Sequence, residues 1–196
     1  ILVRNLFGSA KSDAQLVYHL SIRKPGPDFK LVAVPQSPTP PKADAKNVPL
    51  MALALRRGET VPVKIIALRR DGFTGDIEVT ADNLSGGLGS APARIESGKS
   101  STLLFITAEH DAVPTTAGLT VRGTASINGT TVSRTAMPAT IVWATPDPAT
   151  EPVISRVAPN STLSLMDDVL PVRVRGASNL IESVVGKTVK VQFLIQ

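Results

Sequence analysis

His110 and Asp111 are adjacent residues whose side chains could do chemistry. With one of the chain's many serines they could form a Ser-His-Asp triad, in which the histidine activates the serine hydroxyl. The triads of α/β-hydrolases carry the serine in a Gly-x-Ser-x-Gly turn, and no such turn occurs in this sequence. We therefore interpret His110 and Asp111 as loop residues, predict no catalytic residues, and predict that the chain is not an enzyme.

Two groups of acidic residues could bind a metal ion. Asp71, Asp76 and Glu78 are near one another in the chain, but their spacing differs from the Asp-x-Asp-x-Asp-Gly loop that presents oxygen ligands to calcium. We expect Asp71 to cap its own turn instead. Asp167-Asp168 could contribute ligands or form a solvated turn. We predict neither a metal site nor a cofactor.

The chain is basic, with a formal net charge of +5 at pH 7 and a pI near 9.8. Its most basic positions are scattered among Asp and Glu, and aromatic residues make up only 4% of the chain. A surface on which nucleic-acid bases stack needs both a continuous basic patch and aromatic side chains. We therefore predict a solvated basic surface and no nucleic-acid partner. The positions concerned are Arg56-Arg57, Arg69-Arg70, and Arg173 with Arg175.

Trp143 is the single tryptophan of the chain and Tyr18 the single tyrosine. A carbohydrate-binding module usually presents several aromatic faces to sugar rings, so sugar binding is a minor alternative and we expect Trp143 to be buried against a sheet. Sequons begin at Asn83, Asn128 and Asn160. They would be glycosylation sites only in a eukaryotic secretory protein.

The period of the apolar residues indicates β-strands. Apolar and polar residues alternate over 76–82 (DIEVTAD), which predicts a half-buried strand. The run 63–68 (VKIIAL) is β-branched and almost continuously apolar, too short for a typical helix, and bounded by Pro62. The Asp71-Gly72 pair that follows predicts a hairpin or a sheet-to-sheet corner.

A second hairpin is predicted at Asn128-Gly129. This pair lies between two alternating runs, and both central positions of a type I′ turn need positive φ. The preceding run should bury Leu119, Val121, Ala125 and Ile127. The return strand is interrupted by Pro138, which indicates a sheet edge or a bulge.

These strands predict an all-β fold, an Ig-like β-sandwich flanked by partial β modules. About seven strands in about a hundred residues is the size of one Ig-like domain. The chain has no cysteine, so no disulfide holds it. Five prolines between Pro35 and Pro49 indicate an exposed, semi-extended linker. The predicted organisation is a first set of strands at 1–34, a linker at 35–47, the sandwich at 48–145, a second linker at 146–152, and a partial module at 153–196.

Residues 1–23 predict a β-hairpin, with strands LVRNLF and LVYHLSIR around a polar turn. A lone hairpin is at best marginally stable in water, so it must join a larger sheet. The chain begins at Ile1 inside an apolar run, and it contains no apolar segment of the ~18 residues that a membrane span needs. We expect it to be a piece of a longer protein.

The hairpin, followed by Asp28-Phe29, resembles the closing strands of a bacterial pre-peptidase C-terminal domain. The next block, LRRGETVPVKIIALRRDGFTGDIEVTADNL with IESGKSSTLLFITA, resembles the Ig-like modules of very large secreted bacterial proteins. In those modules a basic-basic-Asp-Gly-Phe-x-Gly corner, here Arg69 to Gly75, leads into an alternating strand. The resemblance implies a secreted or cell-surface module of a bacterium, and it transfers no catalytic residue.

From these patterns we expect a non-catalytic structural, adhesive or assembly module of an exported bacterial protein. Its partners would be other protein modules or subunits that bind through sheet edges, and a homo-oligomer is one such arrangement. The alternative from another class is an accessory domain of a secreted hydrolase, a peptidase, with the catalytic domain elsewhere in the longer chain.

Overall fold

The computed structural model describes residues 22, 25–36, 53–84, 86–143, 154–172, 174–176, 183, 186 and 188–195. These residues form strands and no helix, so the predicted all-β class is confirmed. None of them forms a helix long and apolar enough to cross a membrane. Residues 1–21 and 23 of the predicted hairpin, with Tyr18 among them, residues 37–47 of the first predicted linker and all of the second lie outside the described residues.

The strands of the described residues are short and follow one another closely along the chain. They are β1 (Asp28–Pro35), β2 (Leu53–Arg57), β3 (Thr60–Arg70), β4 (Ile77–Asp82), β5 (Leu88–Gly89), β6 (Ala93–Ile95), β7 (Ser101–Ala108), β8 (Thr115–Gly118), β9 (Thr120–Ile127), β10 (Thr130–Thr135), β11 (Met137–Trp143), β12 (Ile154–Val157), β13 (Thr162–Val169), β14 (Val174–Gly176) and β15 (Phe193–Ile195).

Four sheets contain these strands. A six-stranded sheet has the order β12-β11-β1-β3-β7-β5, and a four-stranded sheet has the order β10-β9-β4-β6. A three-stranded sheet, β2-β13-β8, and a pair, β14-β15, complete the described fold. Ten strands, β2 to β11, lie where the sequence indicated about seven, because strands of two to four residues are too short to show a period.

One hydrophobic core joins the first three sheets. Phe29, Leu31 and Ile65 face inward from the six-stranded sheet and are at most 1% exposed. Ile77 and Val79 face them from the four-stranded sheet, as the alternation over 76–82 predicted. Inward side chains from two facing sheets fill the space between them, which is the packing of a β-sandwich.

The second alternating run is confirmed with one refinement. Leu119, Val121 and Ala125 are buried, and Ile127 is half-buried. Between them lies Gly123, which the sequence did not single out. A Cβ at this position would lie 2.2 Å from Leu31 Cδ1, so β9 approaches β1 closely at this point.

The two predicted turns are present. Asn128 and Gly129 have φ of 51° and 77°, as a type I′ turn between β9 and β10 requires. Asp71 and Gly72 have φ of 49° and 80°, and they join β3 in the six-stranded sheet to β4 in the four-stranded sheet. The sequence predicted a hairpin or a sheet-to-sheet corner here, and the turn is the sheet-to-sheet corner.

Two parts of the predicted organisation differ from the observed pairing. The predicted boundary after residue 34 separates residues 28–34 from the later strands, whereas β1 lies inside the six-stranded sheet, antiparallel to β3 over eight residue pairs and parallel to β11. From the segment 153–196, β12 pairs with β11, and β13 pairs with both β2 and β8. Proline-rich segments mark interruptions in strand pattern, and they do not reveal which strands pair across them.

Pro138 marks a change of sheet. The chain leaves β10 in the four-stranded sheet, passes Ala136, and continues as β11 in the six-stranded sheet. There β11 lies between β12 and β1, so Pro138 is neither at a sheet edge nor at a bulge; the irregularity of this strand falls between Ile141 and Trp143. Proline is tolerated because it is the second residue of β11, close to the start of the strand, where its missing N–H costs few inter-strand hydrogen bonds.

Candidate interaction surfaces

The candidate catalytic pair lies at the surface. His110 and Asp111 form the exposed turn that follows β7. A Cβ added to Gly58 would lie 3.6 Å from His110 Cδ2, so the imidazole packs over the tight turn between β2 and β3. This agrees with the interpretation of His110 and Asp111 as loop residues.

Asp71 and Asp76 have separate partners. Asp76 Oδ1 accepts a hydrogen bond from the Ser97 backbone N–H at 2.7 Å, and its Oδ2 lies 3.5 Å from an Arg94 guanidinium nitrogen. Asp71 Oδ2 accepts from the Gly26 backbone N–H at 3.3 Å, which ties the start of the described chain to the corner. Within the described ranges no group of three or more His, Cys, Asp or Glu side chains could hold a metal ion.

Asp167 and Asp168 belong to strand β13, so the prediction of a solvated turn is wrong. They face the basic pair of β2, which runs parallel to β13. Arg57 donates to the Asp167 carbonyl oxygen at 2.8 and 3.2 Å and lies 3.3 Å from its carboxylate. Arg56 lies 3.9 Å from the Asp168 carboxylate. These contacts bridge β2 and β13 at the surface.

Arg69 fastens the corner between the two main sheets. Its guanidinium donates to the carbonyl oxygen of Gly75, and to that of Glu96 at 2.9 Å. It also lies 5.2 Å from the centre of the Phe73 ring, which stacks on Phe29 at 5.4 Å. The Arg-Arg-Asp-Gly-Phe-Thr-Gly sequence is thus a structural corner whose arginine satisfies backbone acceptors from neighbouring loops.

The remaining residues singled out from the sequence have local roles or lie outside what can be described. Asn83 and Asn128 both have positive φ, at 59° and 51°, which explains asparagine at these turns without glycosylation. Trp143 is in β11 and Arg175 in β14, but their side chains lie outside the description, as does all of Arg173. Whether Trp143 is buried therefore stays a prediction.

A shallow groove of about 410 Å³ lies on the outer face of the four-stranded sheet. Its position follows from strand register, because Glu78 lies opposite both Arg94 and Thr124, and Ser126 lies opposite Thr131. Sugar rings usually stack on aromatic faces, and the lining residues include none. The sequence could not reveal this groove, because its residues come from four strands and an adjoining loop.

Strand β10 forms one edge of the four-stranded sheet. It pairs with β9, and no other described strand pairs with it. The Ala136 N–H bonds to the Val121 carbonyl at 2.8 Å, and bonding alternates along an antiparallel pair. The N–H groups of Thr131, Ser133 and Thr135 therefore point away from β9, toward the open edge.

The six-stranded sheet has an unusually apolar outer face. Because β3 alternates, Ile66 and Leu68 face outward while Ile65 and Ala67 face the core. Pairing places further apolar side chains beside them, and four of these outward residues are 36–50% exposed: Leu68, Leu103, Phe105 and Met137. We call Val32, Ile66 and these four residues the outer apolar face. Lys30 and Lys64 lie on the same side of the sheet.

Comparison with known proteins adds no identification. No family model, no curated protein and no solved structure matches this chain.

Proposed function

We propose that this chain is a non-catalytic, Ig-like interaction module of an exported bacterial protein, and that it binds a strand from another protein module along the open edge of β10. The observation that carries this proposal is the outward row of backbone donors at Thr131, Ser133 and Thr135. An extended segment added to such an edge gains main-chain hydrogen bonds along its whole length.

The composition of β10 favours strand addition. Natural sheet edges are usually protected from other chains by lysine, proline, bulges or short length. The six residues Thr130–Thr135 have no proline and no lysine, and they pair with β9 in unbroken register. Their one charged side chain, Arg134, is already engaged, since its Nε lies 3.1 Å from Asp28 Oδ1. The same guanidinium donates from Nη1 to the Ser133 carbonyl oxygen at 3.0 Å, so a partner strand would share that acceptor with Arg134.

Amide hydrogen exchange of residues 130–135 tests the proposal. In the isolated chain the amides of Thr131, Ser133 and Thr135 should exchange much faster than those of the alternate residues, which bond to β9. In the protein purified from its source in native assemblies, the outward amides should become protected. Equal exchange of these amides in both preparations would contradict binding at this edge.

A substitution separates edge binding from folding. Ser133→Pro removes an outward donor without removing a bond to β9, whereas Val132→Pro removes a ladder bond. We expect Ser133→Pro to fold and to leave the native assembly, and the Val132→Pro control to lose stability. The sequence that flanks this chain in the native polypeptide separates the two functional alternatives, because a catalytic domain there would favour the hydrolase accessory role and further tandem modules would favour the structural role.

A further inference from the structure

The outer apolar face is the second surface for which a partner can be named. In a two-layer sandwich the outer side of a sheet usually alternates to polar residues. Here Leu68, Leu103, Phe105 and Met137 are exposed on three strands of the sheet, β3, β7 and β11, and the paired residues Val32 and Ile66 lie between them. Contiguous apolar surface of this kind marks an interaction site.

We propose that the chain's own residues 1–23 pack on the outer apolar face as a β-hairpin and form a third layer over the six-stranded sheet. The hairpin pattern LVRNLF and LVYHLSIR is apolar and needs a surface to cover it. Ile22, the residue of this segment that the structure describes, is 73% exposed. The proposed packing would cover both the outer apolar face and this apolar segment.

The entry point of the chain brings these surfaces together. The Gly26 N–H bonds to Asp71 Oδ2, so the segment before β1 arrives at the corner that follows β3. From there Lys30 pairs with Leu68, which lies at one end of the outer apolar face. Four residues separate Arg23 from Asp28, so their Cα atoms are at most about 18 Å apart. A tether this short gives an effective concentration of about millimolar or more, which favours the chain's own hairpin over a second copy.

The dimensions also agree. A hairpin strand of seven residues is about 24 Å long at ~3.4 Å per residue. Along β3, the six-residue step from Pro62, which pairs with Phe105, to Leu68 covers about 20 Å. A hairpin that starts near Leu68 can therefore reach Phe105 at the other end of the face.

Photo-crosslinking from the end of this face that lies farthest from Leu68 provides the test. We would place p-benzoylphenylalanine at Phe105, irradiate the monomeric fraction, and digest it with trypsin. The expected product joins residue 105 to the tryptic peptide Asn5–Lys11 or Ser12–Arg23 of the same chain. The same photo-reactive residue at Thr131, on the outer face of the four-stranded sheet, should give neither product.

A thiol variant provides a second readout if the photo-reactive variant fails to fold. The chain has no cysteine, so maleimide labelling of Leu103→Cys reports on the outer apolar face alone. Adding Leu20→Asp to the hairpin should raise the labelling rate several-fold and leave the rate of Thr131→Cys unchanged. Crosslinks to a second chain, crosslinks that lie entirely outside residues 1–23, or labelling that Leu20→Asp does not alter would overturn the proposal.

Discussion

Gly123→Ala should destabilise the protein through a single steric contact. A Cβ at this position would lie 2.2 Å from Leu31 Cδ1 and 3.1 Å from Ile77 Cγ2, both below ordinary van der Waals separation. Leu31 is 1% exposed and Ile77 fully buried, so neither side chain has solvent to move into. Two strands from opposite sheets, β1 and β9, would have to separate or repack.

The size of the effect follows from two opposing contributions. Overpacking a filled core costs about 1–3 kcal/mol. Replacing glycine by alanine in a conformation that alanine tolerates recovers about 0.4–1 kcal/mol, because the unfolded chain has less freedom to lose. We therefore expect a net loss of about 1–2 kcal/mol in the free energy of unfolding. For a domain of this size that lowers Tm by roughly 2–4 °C per kcal/mol.

A double-mutant cycle with Leu31→Ala isolates the contact. Leu31→Ala alone leaves a cavity and should cost about 2–5 kcal/mol. In that background the methyl group of Gly123→Ala fills part of the cavity, so the double variant should be more stable than the sum of the two losses predicts. Urea unfolding followed by circular dichroism measures all four proteins.

The matched control is Gly118→Ala, because a Cβ at Gly118 meets nothing within 4 Å and its φ is not positive. Its stability should stay within about 0.5 kcal/mol of the parent protein. If the two glycine variants behave alike, or if Gly123→Ala and Leu31→Ala are strictly additive, then β1 does not pack on β9 as described. Additivity would instead indicate that residues 28–34 belong to a separate, preceding module.

Three further predictions concern the surface and the corner, and urea unfolding measures each. Gly129→Ala should lower the free energy of unfolding by about 1–2 kcal/mol, since φ is 77° there. The control Gly89→Ala should change it little, because this position has open space and no positive φ. Equal losses would contradict a left-handed turn at Gly129. Arg69→Lys should lower the free energy of unfolding by about 1–3 kcal/mol, because lysine cannot donate to the same carbonyl groups at once. An unchanged stability would contradict the stabilisation of the corner by Arg69. Asp168→Asn should change stability by less than about 0.5 kcal/mol, because its side chain is 73% exposed; a larger loss would mean that the pair with Arg56 is shielded from solvent.

Local patterns were sufficient for the parts of the fold that depend on neighbours in sequence. The alternation over 76–82 predicted which side of β4 is buried, and Asn128-Gly129 predicted a turn with positive φ at both positions. These features depend on side-chain period and on backbone sterics, which a short stretch of sequence contains in full.

Pairing between distant strands could not be read in the same way. β1 and β3 are separated by the proline-rich segment, yet they pair over eight residues, and β13 pairs with strands from two distant parts of the chain. A strand's own sequence specifies which of its faces is apolar, but several partners can satisfy that requirement. The groove and the contacts of Asp167 and Asp168 depend on those pairings, so the sequence did not reveal the groove, and it singled out the two aspartates without their partners.

The run 63–68 contains a signal that alternation alone does not explain. A strand with one face in the core needs an apolar residue at every second position, and β3 meets that need with Val63, Ile65 and Ala67. Ile66 and Leu68 are apolar as well, and they face outward. Near-continuous apolar strands are typical of sheets that are covered on both sides. The composition of β3 therefore favours a covering layer on the outer apolar face, and residues 1–23 are the apolar segment of this chain tethered nearest to it.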